Sequence, residues 1–114
     1  MPYINSTLTV KLTEDKKESL KSELGKIITQ IPGKSEEWLM VGFTDNYTLY
    51  FKGERKQNAA FIEVKIAGTA SRDDKNRVTA SICTLLQKEL DIPQDSVYIT
   101  FSEVADWGWN GELF

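Results

Sequence analysis

The residue types that most often carry chemistry are scarce in this chain. Its 114 residues contain no histidine and one cysteine, Cys83. Nucleophilic pairs of the Ser–His or Cys–His kind and the usual zinc sites are therefore excluded. An internal disulfide is excluded as well. Acid–base chemistry has to come from lysine, tyrosine, carboxylates or the chain terminus.

One apparent motif, a phosphate-binding loop, is incomplete. The segment Pro32-Gly33-Lys34-Ser35 has the letters that end a phosphate-binding loop. That motif needs a further glycine where Ile28 stands, and it follows a strand, whereas this segment follows a predicted helix. We reject a nucleotide-binding loop.

Length and charge limit the class of protein. The chain has the size of a single domain, so residues 1–114 are expected to form one unit. With a net charge of −3, the chain lacks the excess of basic residues that is typical of nucleic-acid-binding proteins. No apolar run is long enough to cross a membrane, and the N-terminus has no signal-peptide core. We expect no membrane partner and a cytoplasmic location, with secretion lacking a signal peptide as the alternative.

Two halves of the chain match each other at a constant offset of 58 residues. Tyr3-Ile4 aligns with Phe61-Ile62, and Phe43 aligns with Phe101. Between these anchors, hydrophobic positions of one half fall on hydrophobic positions of the other: Leu20, Leu24, Ile27 and Ile28 meet Val78, Ile82, Leu85 and Leu86. The agreement indicates a repeated supersecondary unit.

Each half is predicted to form a strand, a helix and a second strand. In the first half, residues 3–10 alternate as a half-buried strand does, and Thr13 can cap a helix. The helical stripe continues to Ile31, where Pro32-Gly33 ends it. The other predicted elements are a strand with Leu39, Val41 and Phe43, a strand over residues 60–66, a helix capped near Ser71 that ends before Pro93, and a strand with Val97, Ile99 and Phe101.

The predicted sheet has one face that this chain cannot cover. A strand–helix–strand unit favours a parallel pair with a right-handed crossover, so two units give a four-stranded sheet with both helices on one face. The opposite face mixes aromatic and polar side chains: Tyr3, Asn5, Thr7, Met40, Gly42, Phe61, Glu63, Tyr98 and Thr100. Nothing remains in a chain of this length to cover it, so we expect a homo-oligomer.

The C-terminal segment carries two of the three tryptophans. Trp107 and Trp109 lie close to the terminal Phe114, with Gly108 and Gly111 as turn residues. A short hairpin is predicted. Its aromatic side chains pack either on their own core or on a neighbouring copy, where tryptophan is an efficient anchor.

Taken together, the tandem units, the proline after the first methionine and the tail resemble the tautomerase superfamily. The resemblance is strongest to its macrophage migration inhibitory factor and D-dopachrome tautomerase branch, and it covers the whole chain. The matching segments are Met1-Pro2-Tyr3-Ile4, Gly33-Lys34, Ile66, Asn76-Arg77, Val97-Tyr98-Ile99 and Gly108-Trp109-Asn110. The implied fold is α/β: a tandem β-α-β repeat with a four-stranded mixed sheet, two helices on one face and short C-terminal strands, assembled as a homotrimer.

The resemblance also implies a site and a reaction. Removal of Met1 would make Pro2 the catalytic base of a cofactor-independent keto–enol tautomerase, an isomerase acting on phenylpyruvate-like or dopachrome-like compounds. Lys34 and the backbone N–H of Ile66 would bind the carboxylate of a small aromatic 2-keto acid. Tyr98 would come from the adjacent subunit, and Trp109 and Phe114 would wall the pocket. Neither a metal nor an organic cofactor is implied.

The chemistry expected of Pro2 is physically reasonable. An α-amino group titrates near pH ~8, and proline's secondary amine is somewhat more basic. Burial and the cation of Lys34 both disfavour the protonated amine. Lowering the pKa by about two units takes only ~2.7 kcal/mol, which would put the base near neutrality, where a general base works best.

Two positions depart from the family pattern. Thr100 stands where the cytokine branch has asparagine, and Trp107 replaces a smaller aliphatic residue, so we expect both to affect the preference among aryl pyruvates. The Cys-x-x-Cys of a proposed thiol-oxidoreductase activity is absent near residues 58–61, and Cys83 is interpreted as buried packing.

Two other functions stay open at this stage. One is a cytokine-like signalling protein with a vestigial pocket and a receptor partner. The other is dehalogenation or decarboxylation by the same proline, which usually enlists an arginine near the base. Arg55, Arg72 and Arg77 are the only arginines, and none matches such a position.

Overall fold

The structure is a computed structural model that describes residues 1–113. The predicted role of Phe114 lies outside the described residues. The strands are β1 (Pro2–Leu8), β2 (Met40–Thr44), β3 (Leu49–Phe51), β4 (Glu54–Lys56), β5 (Ala60–Ala67), β6 (Val97–Val104), β7 (Gly108–Trp109) and β8 (Glu112–Leu113), and the helices are α1 (Glu14–Ile27) and α2 (Arg72–Leu90).

The four long strands form one mixed sheet in the order β2-β1-β5-β6. Tyr3 lies opposite Met40 in a parallel pair, and Phe61 lies opposite Tyr98 in another, so both parallel pairs join residues 37 positions apart. The central pair, β1 with β5, is antiparallel. The predicted tandem β-α-β repeat and mixed sheet are confirmed.

The repeat generates a local two-fold axis at the centre of the sheet. Asn5 lies directly opposite Glu63, and these two residues are equivalent at the repeat offset of 58. The first strand of one repeat, β1, therefore pairs with its equivalent in the other repeat, β5. The arrangement places the start of β1 beside the end of β5.

Both predicted helix caps are present. The Thr13 hydroxyl accepts a hydrogen bond from the Lys16 N–H, and the Ser71 hydroxyl accepts one from the Asp74 N–H. Such bonds satisfy amide groups that the first turn leaves without a partner. Within residues 1–113 no helix combines the length and apolar character that a membrane crossing needs.

Two predicted boundaries were too long. The strand predicted over residues 3–10 ends at Leu8, because the chain turns there and the Leu8 and Val10 carbonyls accept hydrogen bonds from Tyr47 and Asn46. The first helix is α-helical only to Ile27, and a 3₁₀ turn follows over Ile28–Gln30. Tightening of the last turn in this way is common at helix ends.

The hydrophobic core lies between the helices and one face of the sheet. Its fully buried members include Ile4, Leu8, Leu20, Ile28, Ile62, Val64, Ile66, Val78 and Ile82. No layer formed by residues 1–113 covers the other face of the sheet, where Met40 is 69% exposed and Tyr98 58% exposed. The uncovered face predicted from the sequence is therefore present.

Two small hairpins complete the chain. The predicted C-terminal hairpin is formed by β7 and β8. The hairpin of β3 and β4 between the repeats was not predicted. Cys83 on α2 is only partly buried, which corrects its interpretation as a buried packing residue.

Candidate active site

Pro2 is the first residue of β1 and one of the fully buried residues of the protein. It lies opposite Ile66 in the antiparallel register. The next pair outward is Met1 and Ala67, where the Ala67 N–H donates to the Met1 carbonyl oxygen at 2.9 Å. The strand pairing thus fixes the position of the Pro2 nitrogen within the sheet.

The register turns the N–H of Ala67, rather than that of Ile66, toward β1. Hydrogen-bonded and non-hydrogen-bonded pairs alternate along an antiparallel ladder. Since Met1 with Ala67 is a bonded pair, Pro2 with Ile66 is not, and the Ile66 N–H points away from β1 toward β6. The N–H that reaches the start of β1 belongs to Ala67, and the substrate-binding role expected of the Ile66 N–H stays a prediction.

Lys34 is brought to the same place by the turn after α1. Gly33 has a φ of +83°, a left-handed conformation that glycine adopts without steric cost. The Lys34 ammonium then donates a hydrogen bond of 2.8 Å to the Ala67 carbonyl oxygen. The ammonium of Lys34 therefore contacts Ala67, the same residue whose N–H donates to the Met1 carbonyl.

The environment at the N-terminus disfavours a protonated amine. The pKa of the Met1 amino group is lowered from its ordinary value, first by burial and then by the charge of Lys34 and a hydrogen bond with its side chain. In this form the Pro2 nitrogen is an amide. The terminal amine is the Met1 nitrogen. Its pKa indicates the direction expected for the amine that Pro2 would carry if Met1 were removed, one residue further into the same environment.

A cavity of about 650 Å³ opens beside Pro2. All three tryptophans of the chain, Trp38, Trp107 and Trp109, line it. Trp38 and Trp109 pack edge to face, with ring centroids 5.1 Å apart and planes at 88°. A largely aromatic pocket with a few polar groups is the usual form of a small-molecule site.

Tyr98 and Thr100 do not reach this cavity within one chain. Tyr98 lies opposite Phe61, which lies opposite Thr7 at the far end of β1 from Pro2. Five residues of strand separate Thr7 from Pro2, about 17 Å at ~3.3 Å per residue. There the Tyr98 ring packs edge to face on Phe51 at 5.1 Å. Thr100, opposite Glu63, lies at the middle of the sheet.

Several cavity residues were missed at the sequence level. Beyond the predicted Pro2, Trp107 and Trp109, the lining includes Met1, Tyr3, Glu37, Trp38, Leu39, Met40, Lys65 and Gly108. Tyr3 and Met40 could have been predicted as lining residues, because the sequence pattern placed both on the uncovered face of the sheet. The two residues are direct neighbours in the sheet. The C-terminal hairpin packs against its own chain at Trp38, outside the core, and its packing on a neighbouring copy stays a prediction.

The arrangement defines a class of protein: a tandem β-α-β chain with a proline at the start of its first strand, beside a cavity lined by three tryptophans. The sequence model of the macrophage migration inhibitory factor family matches residues 1–114. The chain therefore belongs to the macrophage migration inhibitory factor family.

Individual relatives agree with this assignment. The chain is 32% identical over 90 residues to MIF-like protein mif-2 of Caenorhabditis elegans, covering 77% of this chain and 74% of that protein. It is 26% identical over 99 residues to macrophage migration inhibitory factor of Xenopus tropicalis, covering 85% of each. The crystal structure of Leishmania major MIF2 superimposes with a TM-score of 0.90 at 28% identity, covering 100% of this chain and 97% of that one.

Proposed function

We propose that the protein is a cofactor-independent keto–enol tautomerase that uses Pro2 as its base once Met1 is removed. The observation that carries this proposal is the position of Pro2, buried at the end of an aromatic cavity beside a lysine and a backbone donor. The substrate class is a small aromatic 2-keto acid of the phenylpyruvate type.

The base gains its reactivity from its surroundings. Burial and Lys34 already lower the pKa of the Met1 amine, and the Pro2 nitrogen lies one residue further into the same environment. Both effects destabilise a positive charge on nitrogen and so increase the neutral fraction near pH 7. A neutral secondary amine can accept a proton, which a protonated one cannot.

Two groups bind the substrate carboxylate: the Lys34 ammonium and the Ala67 N–H. The Lys34 ammonium supplies charge, and the Ala67 N–H takes the place that the sequence had assigned to the N–H of Ile66. A hydrogen bond between charged partners is stronger than a neutral one and fixes the orientation of the acid. The substrate ring then lies against Trp38 and Trp109.

The reaction is a proton transfer in two steps. The Pro2 nitrogen removes a proton from the carbon next to the ketone, and the electron pair of that C–H bond moves to form the enolate. A proton from Tyr98 or from water then adds to the enolate oxygen and gives the enol. When the enol leaves, the Pro2 nitrogen releases the proton it took to water, and the group that protonated the enolate oxygen regains a proton from water, so the enzyme returns to its starting protonation state.

A homotrimer completes the site in this proposal. Within one chain Tyr98 lies at the far end of the sheet from Pro2, and the open sheet face carries exposed apolar side chains. A neighbouring copy that covers this face would bring its own Tyr98 to the Pro2 end. Closed symmetric assemblies are the usual way such faces are buried.

The direct experiment uses protein whose first residue is confirmed by intact mass. The Pro2→Ala variant, also with Met1 removed, is expected to lose about a hundredfold or more of kcat/KM for phenylpyruvate tautomerisation, the scale of general base catalysis. Pro93→Ala, at an exposed proline distant in the fold, serves as the control. Full activity in the Pro2→Ala variant would refute the proposed base.

A further inference from the structure

Tyr98 lies between two other aromatic rings, at the far end of the sheet from the Pro2 of its own chain. Its ring packs edge to face on Phe51, with centroids 5.1 Å apart, and on Phe61, with centroids 6.5 Å apart. We propose that Phe51 is a positioning residue, which holds the Tyr98 hydroxyl where it protonates the enolate in the site of a neighbouring chain. This inference rests on the proposed function, and it names Tyr98 rather than water as the proton donor.

Phe51 owes its place to the two residues that follow it. Phe51 pairs with Glu54, so only Lys52 and Gly53 connect β3 to β4. Both connecting residues have a positive φ, +55° and +77°, as a two-residue type I′ turn requires. The Lys52 ammonium also lies 5.5 Å from the centre of the Phe51 ring, within the range of a cation–π contact. The local sequence therefore fixes both the register of the hairpin and the place of the ring.

The hairpin of β3 and β4 is anchored at both ends to the chain around the end of β1. Before the hairpin, the Tyr47 N–H donates to the Leu8 carbonyl at 3.0 Å. After it, the Thr9 hydroxyl donates to the Gln57 carbonyl at 2.7 Å. These hydrogen bonds hold the hairpin against the end of the sheet where Tyr98 lies.

The Tyr98 side chain is supported from two elements and open on the remaining side. Phe61 lies opposite it in the sheet, and Phe51 contacts it from the hairpin. Tyr98 is nevertheless 58% exposed, so much of its surface faces away from its own chain. A tyrosine side chain turns about two bonds, and packing on two sides restricts that rotation before a substrate binds. A catalytic group has to be held to within about 0.5 Å, which is the service that Phe51 supplies.

The effect of Phe51 is expected on kcat rather than on KM. Charge on the enolate oxygen develops only as the transition state forms, so a donor aimed at this oxygen contributes to the rate and little to substrate binding. Without the Phe51 ring, the Tyr98 hydroxyl spends part of its time outside the productive position. The expected loss is about 3–10-fold in kcat, the scale of one aromatic pair.

A double-mutant cycle with phenylpyruvate as substrate tests the inference. The proteins are processed wild type, Phe51→Leu, Tyr98→Phe and the double variant, with their assembly compared by native mass spectrometry. Phe51→Leu is expected to lower kcat about 3–10-fold in the wild-type background. In the Tyr98→Phe background it should lower kcat by less than about twofold, because the hydroxyl that Phe51 positions is absent there. Equal losses in both backgrounds would overturn the inference.

Three further variants of β3 separate positioning from general packing. Phe51→Met also lacks a ring but fills a similar volume with a flexible side chain, and it should behave as Phe51→Leu does. Phe51→Tyr keeps a ring against Tyr98 and is expected to retain the wild-type kcat. Tyr50→Leu is the matched control, because the adjacent strand residue points to the opposite face of the hairpin. A loss in Phe51→Tyr as large as that in Phe51→Met would contradict a role for the ring.

Failure of this inference and failure of the proposed function give different results. Full activity of Tyr98→Phe would overturn the inference and leave Pro2 as the base, with water as the proton donor. Activity of the processed Pro2→Ala variant would refute the proposed base. The cycle between Phe51 and Tyr98 would still decide the positioning role, since it does not depend on which residue is the base.

Discussion

The ammonium of Lys34 donates a hydrogen bond of 2.8 Å to the backbone carbonyl of Ala67, 33 residues further along the chain. The bond joins the turn after α1 to the end of β5, beside the start of β1 where Pro2 lies. The hydrogen bond thereby fixes the cation of a loop residue against the paired strands, next to the backbone N–H of Ala67 and the start of β1.

Replacing Lys34 tests the role of the cation. Lys34→Gln is expected to raise KM for phenylpyruvate about tenfold or more, since hydrogen bonds to charged groups contribute about 1.5–3 kcal/mol. It should also raise the pKa seen in the pH dependence of kcat/KM, because a nearby positive charge disfavours the protonated base. Lys88→Gln on the exposed side of α2 is the matched control. An unchanged KM and pH profile in Lys34→Gln would remove Lys34 from the site.

Trp38 tests the aromatic wall. Trp38→Ala removes the edge-to-face partner of Trp109 and is expected to raise KM for phenylpyruvate by about 3–10-fold, in line with ~0.5–1.5 kcal/mol for an aromatic pair. Steady-state kinetics with an aliphatic 2-keto acid should show a smaller change. Tyr47→Ala, at a similarly exposed aromatic position, should leave both substrates unaffected. Equal losses for the aromatic and aliphatic substrates would argue against ring contact.

Mixing two inactive variants tests whether the site is shared between chains. Pro2→Ala and Tyr98→Ala each remove one proposed component, and the two residues lie at opposite ends of one chain's sheet. Random assembly of equal amounts of the two variants would restore both native residues in about a quarter of all junctions, so activity should return on coexpression. A mixture as inactive as its parents, with mixed trimers confirmed by native mass spectrometry, would contradict a site at the junction.

Glu103 links pH to stability near the candidate site. Its carboxylate accepts from the Lys75 ammonium and from the Ala70 N–H, each at 2.9 Å, and these bonds, the Lys75 bond foremost, lower its pKa below the ordinary value. Its stabilising contribution is therefore present above pH ~4.5 and is lost as the pH falls through the lowered pKa. Glu103→Gln should reduce the free energy of unfolding at pH 7 and flatten its acid limb, as measured by denaturant unfolding. Glu112→Gln on the exposed β8 strand is the control, and an unaltered acid limb in Glu103→Gln would count against the link.

Much of the fold was predictable because it is repeated. The offset of 58 aligned strands, caps and helical stripes at once, and both caps, at Thr13 and Ser71, were found as predicted. The β3–β4 hairpin escaped prediction because three-residue strands are too short to show an alternating pattern.

The site was less predictable than the fold for a physical reason. Side-chain alternation identifies which face of a strand is buried, but only pairing register tells which backbone N–H is free, and a shift of one residue reverses it. That is why the sequence did not show that the Ala67 N–H, and not the Ile66 N–H, faces β1. Trp38 was missed because its role depends on contact with Trp109, far away in the sequence.

The central claim is that the Pro2 nitrogen, once free, has a pKa below that of an ordinary α-amino group, which raises its uncharged fraction near neutral pH. It is tested most directly by following the ¹⁵N chemical shift of Pro2 against pH in processed protein labelled with ¹⁵N-proline. The account predicts a single titration with a pKa clearly below ~8, the ordinary value of an α-amino group. The same pKa should mark the pH below which kcat/KM falls. A Pro2 pKa at or above ~8 would contradict the account.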